Sequence, residues 1–109
     1  MNIVRAFIEA RQRISANTAA QTSVGMAAGQ IVSPDEDRKG VIIQNTGTTV
    51  IKLVLGSGTP TQTVYHMALG ACAGANDGTG GIYVDDSWTD AIQAISSGAG
   101  GTIAITEIF

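Results

Sequence analysis

An all-β domain, folded as an antiparallel β-sandwich, is the fold class the sequence predicts, and three observations carry it. Two β-branched runs, Val41-Ile42-Ile43 and Val50 to Leu55, flank Asn45-Thr46-Gly47-Thr48, where Asn and Gly tolerate positive φ; this is a hairpin signal. The composition, 14 Gly among 109 residues with only 14% charged, suits a turn-rich β fold. The final stretch alternates Ile103 and Ile105 with Thr102, Ala104 and Thr106, so one face is core and the other polar or small.

A chain of 109 residues forms one domain able to bury a core without staples. The net charge of −3 argues against general affinity for nucleic acid. Arg5, Arg11 and Arg13 against Glu9 give residues 1–13 a net +2, which leaves −5 for the rest. A single cysteine, Cys72, excludes an intramolecular disulfide and a cysteine-based metal cluster, and is read as a small buried or half-buried thiol. No apolar run reaches the roughly 20 residues that span a bilayer, and Arg5, Glu9, Arg11 and Arg13 break the apolar region a signal peptide needs. The expectation is a soluble protein made in a cytoplasm.

From the N-terminus, Ile3, Phe7, Ala10 and Ile14 recur at helical spacing, with Glu9 four residues before Arg13. Residues 1–19 are therefore expected to be an arm with a short helix that needs a surface to pack on, its own domain's or a neighbouring subunit's, and residues 20–109 the sandwich. Short strands are expected around Gln21 to Met26 and Gln30 to Val32, then a charged turn at Pro34-Asp35-Glu36-Asp37 that lacks the spaced ligands of a calcium loop. Past the first hairpin, Gln62 to Leu69 reads as a strand carrying His66, a lone histidine read as a structural or surface residue and not as a ligand or base. Gly70 to Gly81 is a long Gly-rich connection with an Asn76-Asp77-Gly78 turn; without a GK[ST] ending it is no phosphate loop. Ile82-Tyr83-Val84 is a strand. The loop after it holds Asp85, Asp86, Trp88 and Asp90, which could present a cation or carbohydrate platform but is read first as a solvated loop with Trp88 closing one end of the core. Ala91 to Ser96 and Thr102 to Ile108 around a Gly-rich turn predict a second hairpin.

The order of these pieces, above all Arg38-Lys39-Gly40-Val41-Ile42-Ile43-Gln44-Asn45 and Gly100-Gly101-Thr102-Ile103-Ala104-Ile105-Thr106-Glu107, resembles small virion proteins of tailed bacteriophages over residues 20–109. The resemblance implies a jelly-roll-like sandwich, a non-enzymatic structural role without a cofactor, and a homo-oligomer, trimer or dimer, that binds the major capsid protein on the capsid exterior as a decoration or cement protein, with no direct nucleic acid or membrane contact. On this reading assembly takes place in the host cytoplasm, and Ile3, Phe7, Ile8 and Arg11 of the arm form the capsid or subunit interface. The alternative is a tail- or fibre-associated module that recognises host-surface glycan through Tyr83, Asp85, Asp86, Trp88 and Asp90. No nucleophile, base and orienting group can be assembled from the sequence, so an enzyme is not expected.

Overall fold

The computed structural model describes the backbone of residues 16–18 and the whole of residues 21–109. The helical pattern of residues 1–14, with Ile3, Phe7, Ile8 and Arg11, lies outside the described residues. Among the described residues there are nine strands: β1 (Ala16–Thr18), β2 (Thr22–Val24), β3 (Gly29–Val32), β4 (Gly40–Asn45), β5 (Ile51–Leu55), β6 (Met67–Leu69), β7 (Ile82–Asp85), β8 (Ile92–Ser96) and β9 (Gly101–Ile108). All strand pairings are antiparallel. One sheet runs β1-β9-β4-β7, with β2 also on β9; the other runs β3-β8-β5-β6. β1 and β2 pair with successive segments of β9, residues 106–108 and 101–103, and so act as two halves of one edge strand.

Counted that way, the first strand position pairs with the last, the second with the seventh, the third with the sixth and the fourth with the fifth. This is a long antiparallel ribbon rolled into two sheets, the order of a jelly roll. Val41 and Ile43 of β4 and Ile103 and Ile105 of β9 face Ile51 and Leu53 of β5 and Ile92 and Ala94 of β8 across a shared core, closed by Val24, Val32 and Leu69. The period of two is explicit in β4, where alternate residues from Val41 to Asn45 are buried.

Neither expected hairpin is one. β4 and β5 belong to different sheets, as do β8 and β9, so each connection is an arch across the core. The β4–β5 turn takes this path because Asn45 points inward: its Nδ2 donates to Thr49 O (2.7 Å) and Leu69 O (3.0 Å), and its Oδ1 accepts from Gly47 N (3.0 Å). In the β8–β9 arch Ser96 plays the matching part, buried and bonded to Thr49 Oγ1 (2.7 Å) and Gly98 O (2.7 Å). Among the described residues the consecutive strands that do neighbour each other are β5 and β6.

The strand expected over Gln62 to Leu69 is confined to Met67–Leu69. The chain before it folds back over the outer face of the β5-β8 sheet instead. Pro60 is buried there, Lys52 Nζ donates to Gln62 O (2.5 Å) and Gln62 Nε2 to Ser96 O (2.8 Å). The outward-facing Val54 and Ile95 are consequently only 8% and 7% exposed.

Candidate functional site

Connections gather at two ends of the sandwich, and one buried polar side chain organises each. At one end the guanidinium of Arg38 is fully enclosed and makes five hydrogen bonds, from Nε and Nη2 to Trp88 O (3.3 and 3.0 Å), from Nη2 to Asp90 O (2.8 Å), and from Nη1 to Ser33 O (2.9 Å) and Glu107 Oε1 (3.3 Å). A buried cation is stable only when its donors are used, and here four of the five bonds go to the backbone carbonyls of Ser33, Trp88 and Asp90. Sequence reasoning gives Arg38 no such role; the missing signal is the placement of carbonyls, which only the fold creates.

The acidic and aromatic loop converges on this same end. Asp85 accepts from Ser87 N (2.7 Å), Trp88 N (2.6 Å) and the Tyr83 hydroxyl (2.8 Å). The two amides, followed by that hydroxyl, hold its carboxyl below the usual carboxylate range. Burial, reinforced by the bond to Asp85 and its charge, pushes the Tyr83 phenol up to about 12. Trp88 packs against the core and its Nε1 donates to Ala91 O (3.0 Å), while Asp90 Oδ1 accepts from Ala91 N (2.7 Å). Of the five loop residues named from the sequence, Tyr83, Asp85, Trp88 and Asp90 thus bond within the domain, and Asp86 is exposed to solvent.

At the opposite end the Gly-rich connection is a compact, internally bonded loop. Asp77 accepts from Thr79 N (2.9 Å), Thr79 Oγ1 (2.6 Å) and Gly74 N (2.7 Å), and Asn76 and Gly78 take the positive φ of the expected turn, at 60° and 82°. Those bonds, the Thr79 side chain first, lower the Asp77 carboxyl's pKa. Cys72 is buried and its thiol donates to Asn45 O (3.2 Å). His66 is structural as expected: its Nδ1 accepts from Leu55 N (2.9 Å).

What these loops leave unoccupied is a surface. The outer face of the β9-β4-β7 sheet places Val84, Ile42 and Thr106 in one cross-strand row and Ile82, Gln44 and Ala104 in the next. On it Ile82 is 57% and Val84 66% exposed, on a strand at the edge of the sheet. A cavity of about 90 Å³ where β2 and β3 diverge, lined by Thr22, Gln30 and Ala94 among others, is below the roughly 300 Å³ at which small-molecule sites begin. Among the described residues no group of three His, Cys, Asp or Glu is placed to hold a metal ion, and no helix is long and apolar enough to cross a membrane.

No family model matches the chain, and no curated protein matches it. Among solved structures it is similar to one described under the heading "Bacillus endospore appendages form a novel family of disulfide-linked pili", with a TM-score of 0.49 and 13% sequence identity over 88% of this chain and 87% of that one. That degree of likeness says nothing of what this protein does. The fold itself, an all-β sandwich of two antiparallel sheets, is established by the strand pairing.

Proposed function

We propose that the chain is a non-enzymatic structural subunit that self-associates and decorates the head of a tailed bacteriophage, contacting the major capsid protein on the capsid exterior. One observation carries the reading: the domain covers one sheet face with its own loop and leaves the other with exposed Ile82 and Val84 beside Ile42, an apolar strip suited to protein contact. The interior supports it. Among the described residues no buried side-chain nitrogen or oxygen lacks a partner, and the groups that could do chemistry, Arg38, Asp85 and Cys72, are engaged in holding loops. A closed oligomer would touch several lattice subunits at once, which turns weak contacts into lasting attachment. The basic, amphipathic residues 1–14, through Ile3, Phe7, Ile8 and Arg11, are the proposed grip on the capsid or the adjacent subunit.

Light scattering on the purified protein, followed by co-sedimentation with particles lacking it, tests the reading. A stable oligomer that saturates particles at fixed stoichiometry is the expected result, with binding lost when residues 1–14 are deleted. A monomer that ignores particles overturns it. Glycan recognition by the loop of Tyr83, Asp85, Asp86, Trp88 and Asp90 is the alternative, resting on exposed Asp86 beside half-buried Trp88. Replacing Asp86 by Ala leaves the loop's hydrogen bonds in place, so a loss of glycan binding in that variant would favour it.

A further inference from the structure

The edge of β7 has a defined hydrogen-bonding phase. Asn45 N donates to Gly81 O (2.9 Å), and Asn45 and Gly81 continue the register in which Gln44 faces Ile82, Ile43 faces Tyr83, Ile42 faces Val84 and Val41 faces Asp85. Hydrogen-bonded and non-hydrogen-bonded pairs alternate along an antiparallel ladder. Ile43/Tyr83 and Val41/Asp85 therefore exchange bonds, and the N–H and C=O groups of Ile82 and Val84 point away from β4, off the edge of the sheet. No described residue bonds to them in a turn, loop or cap. Within β7, the two residues that present open backbone groups are thus also the two whose large apolar side chains are exposed.

Natural sheets protect such edges with a lysine, a proline, a bulge or a very short strand. The other edges of this domain show these features: β3 is bulged between Gln30 and Val32, β6 has three residues, and β1 and β2 divide their edge between two short pieces. β7 is a regular four-residue strand without lysine, proline or bulge, and its one charged residue, Asp85, stands at its C-terminal end, where Tyr83, Ser87 and Trp88 engage it.

We propose that β7 is a docking edge for β7 of a second copy of this chain, paired antiparallel about a two-fold axis centred on Tyr83, which joins the two β9-β4-β7 sheets into one. This rests on the structural reading above and names its contact. In this register Ile82 faces Val84 of the second copy and Val84 faces its Ile82, so every open N–H meets an open C=O, giving four intermolecular bonds. The apolar side chains meet on the outer face in continuity with Ile42. Asp85 falls opposite Gly81, so the acidic residues of the two copies do not oppose each other, a charge arrangement that permits self-pairing. A strand of four residues is about 13 Å long. One such contact is smaller than the roughly 1,200 Å² at which stable interfaces begin, so it is a weak two-fold contact that multivalent attachment would reinforce.

Disulfide trapping tests the register. Residues 82 and 84 of opposite copies would sit as a hydrogen-bonded pair, about 5.5 Å apart at Cα and within disulfide reach, whereas like residues are displaced by two positions, beyond the roughly 7 Å limit. An equimolar mixture of Ile82→Cys and Val84→Cys proteins, mildly oxidised and run on a non-reducing gel, is expected to give at least tenfold more dimer than either protein alone, and wild type, whose Cys72 is buried, none. Val84→Lys, at an exposed position that a lysine fills without unfolding, is expected to lower the oligomer mass seen by light scattering. Equal cross-linking in the mixture and in the single proteins, or an oligomer indifferent to Val84→Lys, overturns the β7 contact and leaves the structural reading standing. A wild-type protein that neither associates nor binds particles overturns both.

Discussion

The two ends of the sandwich solve the same problem in different ways. At each, loops from both sheets converge and their backbone groups lose water. The Arg38 end brings a charged, many-armed donor within hydrogen-bonding distance of carbonyls from separate loops, so those loops are spaced by a side chain. The Asn45 end uses a small neutral amide and brings backbone into direct contact with backbone: a Cβ added at Gly80 would lie 1.9 Å from Asn45 O and 2.9 Å from Cys72 Sγ. Charge provides reach, and close approach provides a seal with no room for adjustment. Mutations at the two ends should therefore fail differently.

The largest effect is expected at the sealed end. Gly80→Ala must displace the Asn45 carbonyl, which is backbone in a central strand, so destabilisation should exceed the about 3 kcal/mol upper range of ordinary overpacking, read as a fall in urea midpoint or a failure to fold. Arg38→Met comes next. It strands Glu107 and the carbonyls of Ser33, Trp88 and Asp90, and a loss of about 3–5 kcal/mol is expected from breaking a buried charged network. Asn45→Ala should cost less, about 1–3 kcal/mol in all, since the groups it leaves unpaired are neutral and no buried charge is stranded. If Asn45→Ala proved the more damaging of the last two, the guanidinium would not be the stronger clasp.

A pH series separates the ends further, because the Tyr83–Asp85 bond lies at the Arg38 end alone. The Asp85 carboxyl is depressed in the fold, so its contribution is present above the ordinary carboxylate value near 4 and fades as pH falls through the folded value. The Tyr83 phenol is raised from 10.0 to about 12, so its contribution is complete below pH 10 and fades as pH climbs towards 12. Tyr83→Phe should flatten the alkaline limb of a stability-against-pH curve while leaving most of the acid limb, which Asp85 also draws from the amides of Ser87 and Trp88. The smallest effect belongs to neither end: His66→Ala removes one acceptor from the exposed Leu55 N–H contact, worth about 1 kcal/mol or less by thermal melting.

How much of this was legible in the sequence varies with the range of the interaction. The β-branched run Val41 to Ile43 and the alternation of Ile103 and Ile105 placed the core strands, and Asn76 and Gly78 placed the turn of the long loop, because each is a local preference. The hairpins were misjudged for the same reason. Asn45 and Gly47 say that the chain turns, but whether the next strand lies beside the last or across the core depends on where Asn45 finds carbonyls, and Leu69 O is 24 residues away. Arg38 was invisible as a clasp, since its acceptors are 50 or more residues distant, Ser33 apart. β7 was legible as a strand, but its position at a sheet edge was not, and the surface proposed here depends on that position.

The placement of β9 has a consequence for the order in which the domain can form. Residues 101–108 are the shared partner of β1, β2 and β4, so one sheet lacks its central strand until this stretch has been synthesised. Before then β4, with Val41 and Ile43, has an open edge and an unfilled core beside it. Pairing strands this far apart in the chain is slow because a large loop must close first. The nascent protein would therefore pass through a stage with a long apolar edge exposed to other nascent chains, and an inter-strand association that is productive in the finished domain at β7 would at that stage be a route to aggregation at β4.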